Sequence, residues 1–208
     1  MQWIEEQLLK PFEPKAYSEL DAYIRESAAE ARKLTPTPRE SAVVIVLHPH
    51  EGDAGLTLIQ RPVYDGVHSG QMAFPGGKKD EGDESLLHTA LRELNEEVGL
   101  SLPTEKKYFR LNEIFIPPSR MLVQPFATVL NEIPNFIPDE NEVAALVPIP
   151  LAHFGAKMKT ERMDIFMPHI QQTKSVPAIR YNDYLIWGAT AMMLFELRDR
   201  LDLKNKYE

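Results

Sequence analysis

The stretch Phe74-Pro75-Gly76-Gly77, followed by Arg92-Glu93-Leu94-Asn95-Glu96-Glu97-Val98-Gly99-Leu100, constrains this chain more than any other. At about 100° per residue, Leu87, Leu91, Leu94 and Val98 recur as i, i+4, i+7, i+11, which predicts a helix over about residues 84–98 with one narrow apolar stripe. Glu93, Glu96 and Glu97 fall well round the cylinder from that stripe. Asp83 or Ser85 is placed to cap the start, and Gly99 to end the helix in a left-handed conformation. Arg92 precedes Glu96 by one helical turn and can hold it through a charge-assisted hydrogen bond. In water the three acids need no ion, because like charges at these spacings cost only ~0.2–0.5 kcal/mol per pair. In a cleft the repulsion grows as the dielectric falls, and a hard cation resolves it.

The segment resembles the Nudix box, G-x5-E-x7-R-E-U-x-E-E-x-G-U, where U is a bulky aliphatic residue. Glu84 takes the first glutamate position, and Glu93, Glu96, Glu97, Gly99 and Leu100 match the rest. Gly77 lies one residue early, with Lys78 in the usual glycine place. That expansion, with Asp80 and Asp83 in a G-G-x-x-D-x-x-D pattern, is similar to the coenzyme A pyrophosphatase branch. Leu58-Ile59-Gln60-Arg61 and His68-Ser69-Gly70-Gln71-Met72-Ala73-Phe74-Pro75-Gly76-Gly77 resemble the same branch. Pro62 replaces its small hydroxyl residue, and Gly66 stands where arginine is common. Downstream, Asn141-Glu142-Val143, Pro148-Ile149-Pro150-Leu151 and Ile186-Trp187-Gly188-Ala189-Thr190-Ala191 extend the likeness to about residues 42–200.

The resemblance implies an α/β fold: a Nudix α/β/α sandwich with a mixed β-sheet, carrying an N-terminal helical extension (residues 1–37) before the hydrolase domain (38–208). It implies Mg²⁺ or Mn²⁺, held by Glu93, Glu96 and Glu97 with the Gly76 or Gly77 carbonyl. Glu84 is either an outer ligand or a first-turn acid favoured by the helix dipole. Arg92 orients a glutamate, since a guanidinium cannot act as a base. Glu93 is favoured as the base, and Glu142 on its loop is the other candidate. Arg61, His68, Lys78 and Lys79 are candidate phosphate contacts. The implied reaction is hydrolysis of a diphosphate in coenzyme A or acyl-CoA. The alternatives are ADP-ribose or another nucleoside diphosphate derivative, and a non-catalytic ligand sensor, which would tolerate a broken box.

Composition bounds the rest. With 208 residues and 43% hydrophobic content one ordinary core is expected. The net charge of −8 argues against a broad nucleic-acid footprint. The absence of cysteine excludes disulfides and thiolate ligands and fits a cytoplasmic protein. No signal peptide or membrane span is expected. A small nucleotide is the expected partner, and a homodimer is admitted.

Periodicity places an amphipathic helix over residues 17–33, on Leu20, Ile24, Ala28 and Ala31, and a connector at 34–39. Strands are predicted at 42–47, at 56–60 with alternating burial, up to Phe74, at 108–116 and at 121–130. A hairpin turns at Asn182-Asp183, and an apolar helix spans 189–201. His48 and His50 lack a third ligand at helical spacing and are expected to be structural or exposed. Tyr64 and Phe74 could stack on an adenine, with core packing the better reading of Phe74.

Overall fold

Strand β1 (Arg39–His50) sends alternate side chains to opposite faces of a sheet, and that alternation organises the molecule. Ala42, Val44 and Val46 meet Leu91, Leu94 and Val98 on one face. Ile45 and Leu47 join Leu194, Phe195 and Leu197 in the cluster on the other. The computed structural model, which describes residues 1–10, 27–63, 68–156, 158–167 and 171–208, is thus an α/β/α sandwich around a mixed sheet, as expected.

The elements run α1 (Gln2–Leu8), α2 (Ala28–Ala31), β1, β2 (Asp53–Gln60), β3 (Met72–Ala73), β4 (Gly76–Lys78), α3 (Leu86–Val98), β5 (Phe109–Arg110) and β6 (Ile114–Ile116). They continue as β7 (Met121–Val129), β8 (Ala145–Pro150), β9 (Thr160–Met167), β10 (Gln172–Tyr181), β11 (Tyr184–Trp187), α4 (Gly188–Arg200) and α5 (Leu203–Lys206). β7 lies parallel to β1, and the other pairings are antiparallel. β1 and β2 pair with each other only near their turn, at residues 47–50 and 53–56. Farther out they part: β4 pairs with β1 at residues 41–43, and β3 with β2 at 59–60. Residues 72–78 therefore form a wedge in the fork of the sheet. The diglycine corner is built into the main sheet.

Several expectations are corrected. The helix starts at Leu86 rather than 84, because the Ser85 hydroxyl accepts from the His88 N–H and caps it. Gly99 ends it at φ 66°, as predicted. β2 does not alternate; its residues 54–59 are all buried, since it is covered on both faces. The predicted strand 108–116 breaks into β5 and β6, where the Asn112 N–H turns to the Glu196 carboxylate at 3.0 Å instead of a neighbouring strand. β8 and β9 were not foreseen. Prolines 148 and 150 disguise the first, and charges interrupt the apolar pattern of the second.

The Asn182-Asp183 hairpin forms, with Tyr181 opposite Tyr184. In α4, Met193 and Phe195 are core, as expected, but so are Glu196 and Arg198. Of the helix predicted over 17–33, residues 17–26, with Leu20 and Ile24, lie outside the described residues. What is described is α2, whose Ala31 packs against Phe115 and Leu122. Ile4 and Leu8 of α1 enter the large core. No described helix is long and apolar enough to cross a membrane.

Candidate active site

Two glycines let the wedge fit between strand β1 and helix α3. At Gly76, with φ 153°, an added Cβ would strike the Ala42 carbonyl and the Val43 backbone; at Gly77 it would strike the Glu93 carboxylate. The Val44 N–H donates to the Pro75 carbonyl (2.9 Å) and the Lys79 N–H to that of Glu40 (3.0 Å). By the alternation of an antiparallel ladder, Gly76 and Lys78 then turn their peptide groups away from β1. The Gly76 N–H donates to Glu97 Oε2 at 2.8 Å, and the Lys78 carbonyl accepts from Arg92 Nη2 at 3.0 Å. The same alternation would turn the Gly76 carbonyl to the side of Glu97 and that of Gly77 into the ladder with β1.

Arg92 ties the wedge, the following loop and the helix together. Its Nε and Nη2 donate to the two oxygens of Asp83 at 3.1 and 3.0 Å, and its Nη1 donates to Glu96 at 2.7 Å, as the spacing predicted. Nη1 also lies 3.0 Å from Glu93. The Asp83 side chain is 2% exposed, and the guanidinium bonds hold its carboxyl well below the usual carboxylate range. Asp83 as the anchor of Arg92 was missed in the sequence, where it counted only as a cap or pattern residue. The D-x-x-D pattern beside a helix arginine was the signal for it.

The three helix glutamates, expected to share one face, occupy different surroundings. The Glu96 side chain is 51% exposed, that of Glu93 17% and that of Glu97 only 1%. Burial pushes Glu97 up to about 7 against the Gly76 N–H, with Glu93 and Glu142 adding repulsion. Burial also raises Glu93, with Glu96 and Glu142 contributing. Glu142 itself is exposed. Its loop is pinned to the end of α3 by Ile137 N–H to the Val98 carbonyl (2.8 Å) and Asp139 N–H to the Glu97 carbonyl (3.0 Å). Arg61, after β2, reaches Glu97 at 3.5 Å through Nη1, while its buried Nε has no hydrogen-bond partner among the described residues.

The raised Glu97 gives stability a definite slope. Between pH 4.5 and about 7 the unfolded carboxyl loses its proton while the folded one keeps it, so cation-free protein becomes less stable as pH rises through that window. The full effect of moving one carboxyl from 4.5 to about 7 is roughly 3 kcal/mol. Urea unfolding at about pH 5 and about pH 8 in chelator should show the fall, and Glu97→Gln should flatten it. An unchanged slope in that variant would contradict the assignment.

The remaining candidates are less concentrated. His68 Nδ1 lies 3.1 Å from Gln71 Oε1, Lys78 is exposed, and Lys79 pairs with Glu40 at 3.6 Å. Glu84 precedes the cap, is exposed, and its carboxylate makes no hydrogen bond or ion pair among the described residues. His48 is buried against the Thr57 hydroxyl (2.9 Å) and Phe74 is core, as expected. Tyr64 and Gly66 lie outside the described residues.

Among the described residues no three acidic or imidazole side chains are closed around a common point. The donors nonetheless fit a hard dication. All are oxygens, the buried Glu97 lacks a full counter-charge, and the Gly76 backbone stands beside it.

The NUDIX domain family model matches residues 37–170. The chain is 30% identical over 168 residues to the human mitochondrial coenzyme A diphosphatase NUDT8, covering 80% of this chain and 71% of that protein. It is 33% identical over 161 residues to the uncharacterized Nudix hydrolase NudL of Pectobacterium atrosepticum, covering 76% and 81% respectively. Among solved structures, a MutT/nudix family protein from Enterococcus faecalis aligns over 92% of this chain and 76% of its own, with a TM-score of 0.55 at 19% identity. The fold and the site define a hydrolase of pyrophosphate bonds. The chain belongs to the Nudix family, whose members generally use divalent metal ions and act on small nucleotide-derived substrates.

Proposed function

We propose that the chain hydrolyses the diphosphate of coenzyme A or an acyl-CoA, giving 3′,5′-adenosine bisphosphate and 4′-phosphopantetheine. The observation that carries the catalytic reading is Glu97, a carboxylate 1% exposed and pushed up to about 7, facing the Gly76 backbone. We assign Glu93, Glu96, Glu97 and the Gly76 carbonyl as oxygen donors for Mg²⁺ or Mn²⁺, with Gly77 giving Glu93 the room to approach. Such an ion, when bound, withdraws charge from phosphoryl oxygens and lowers the pKa of a bound water. Arg92 positions Glu93 and Glu96. Glu93, raised by burial, takes the proton of the attacking water; Glu142, coupled to it across the site, is the other candidate. Arg61 is the phosphate contact with most support, since it already reaches the site. The case for His68, Lys78, Lys79 and Glu84 rests on the motif alone.

The likeness of residues 58–77 to the coenzyme A branch, and the activity for which the human relative is named, favour coenzyme A. Gly66 in place of arginine supports ADP-ribose as the second reading. Residues 38–208 would form the hydrolase domain and 1–37 the extension before it, of which α1 packs on the core through Ile4 and Leu8. A panel of coenzyme A, acetyl-CoA, ADP-ribose and dinucleoside polyphosphates, in Mg²⁺ or Mn²⁺ and with products identified by mass, decides the substrate. Coenzyme A is expected to give the highest kcat/KM, with activity abolished by EDTA. Cleavage of ADP-ribose with coenzyme A left intact would replace the first reading by the second.

A further inference from the structure

Two arginines meet the glutamates of α3, and they are satisfied very differently. Arg92 directs its donors to Asp83, Glu96 and the Lys78 carbonyl, with no hydrogen bond longer than 3.1 Å. Among the described residues the Arg61 guanidinium makes one polar contact, Nη1 to Glu97 Oε1 at 3.5 Å, at the outer limit of a hydrogen bond. Its Nε is buried and has no hydrogen-bond partner there. A guanidinium carries a fork of N–H donors that suits two oxygens of one anion, and this fork is unused. Its base, by contrast, is held firmly. The Arg61 N–H donates to the Gln71 carbonyl at 3.0 Å, and the Ala144 N–H to the preceding Gln60 carbonyl at 2.8 Å. On the far side the Gly70 N–H donates to the Pro62 carbonyl at 3.1 Å. The backbone is pinned while the charged end is loosely held. The side chain is 32% exposed, so a ligand can reach it.

Glu97 is the complement. Its Oε2 accepts from the Gly76 N–H at 2.8 Å, which leaves Oε1 to Arg61 among the described residues. A single monovalent charge at 3.5 Å is a weak partner for a carboxylate 1% exposed. A divalent cation brings twice the charge to that oxygen and repels a guanidinium beside it. We propose that Arg61 is an exchangeable counter-ion. In the cation-free protein it partners Glu97; when a divalent cation claims that carboxylate, the guanidinium is released to a phosphoryl oxygen of the diphosphate. The exchange rests on the reading of Glu97 as a cation donor given above, and it holds for any diphosphate substrate. It makes cation and diphosphate binding mutually reinforcing through one side chain, and linkage requires the effect to run both ways.

Two titrations of the full chain at about pH 8, where Glu97 is ionised, test this. In the first, Mn²⁺ binding is followed by the paramagnetic resonance of the free ion. Glu97→Gln should weaken binding, and Arg61→Gln should tighten it about ten-fold, because the competing charge is gone. Arg61→Lys keeps the charge without the planar fork and should gain less. In the second, inorganic pyrophosphate is titrated calorimetrically in chelator. Glu97→Gln frees Arg61 and should bind pyrophosphate about ten-fold more tightly than the wild type, a gain that should vanish in the Arg61→Gln background. Circular dichroism should be unchanged throughout. Mn²⁺ binding that Arg61→Gln leaves unchanged or weakens overturns the proposal, as do equal gains in the glutamine and lysine variants. So does a pyrophosphate gain that is absent, or one that persists without Arg61. Mn²⁺ binding indifferent to Glu97→Gln would instead remove the cation assignment itself, and the exchange with it. Neither titration measures turnover, so both are independent of which substrate is cleaved.

Discussion

Replacing Glu97 by glutamine is expected to lower kcat at least ~100-fold, the scale seen when a principal electrostatic stabiliser is removed. The argument is one of position. Glu97 is the only one of the three helix carboxylates that is fully enclosed, and it is fastened to the Gly76 N–H at the point where the wedge meets the helix. Glutamine keeps the shape but gives up the charge. It also removes the burial penalty, so the cation-free variant should be at least as stable as the wild type near pH 8. Loss of turnover together with retained or increased stability separates a functional acid from a structural one. Nucleotide release in Mn²⁺ and urea unfolding in chelator measure the two arms. A variant that turned over at wild-type rate would remove the central donor from the proposed site.

Arg92→Ala should give the largest loss of stability, on the order of 3–5 kcal/mol, because it strands a buried charge. Asp83 is 2% exposed and, among the described residues, would keep the Asp80 N–H at 3.0 Å as the donor to its carboxylate. Glu93 and Glu96 would lose their shared cation at the same time, so activity should fall with stability. Asp83→Leu/Arg92→Leu should recover much of the stability and none of the activity, since it removes the stranded charge but leaves the glutamates unsupported. A loss below ~1 kcal/mol in Arg92→Ala would show that the bidentate pair carries little net stability.

The local geometry of the candidate site was legible in this sequence in part, for physical reasons. Glu93, Glu96, Glu97 and Arg92 sit at spacings that only a helix brings together, and the Arg92 to Glu96 contact followed directly from four-residue periodicity. The surroundings of the acids were not readable. Glu97 looks like its neighbours in sequence, and its burial comes from the wedge across the fork of β1 and β2. β8 escaped notice because Pro148 and Pro150 argue against a strand unless its place at an edge is known. The break between β5 and β6 depends on Glu196, which lies far along the chain from Asn112 and buries a charge in what reads as an apolar helix. Local patterns cannot report partners chosen by tertiary packing.

The fork described above also bears on how such a protein can change. Its candidate reactive corner is made of strands shared with the central sheet, and Gly76 leaves no room for even one extra carbon against the Ala42 and Val43 backbone, while at Gly77 an added carbon meets the Glu93 carboxylate. Drift at that corner would cost the fold itself. Innovation in what the enzyme accepts is therefore pushed outward, to the connection between β2 and β3 and to the segment carrying Glu142, which could be exchanged by grafting while the hydrolytic corner stays as it is.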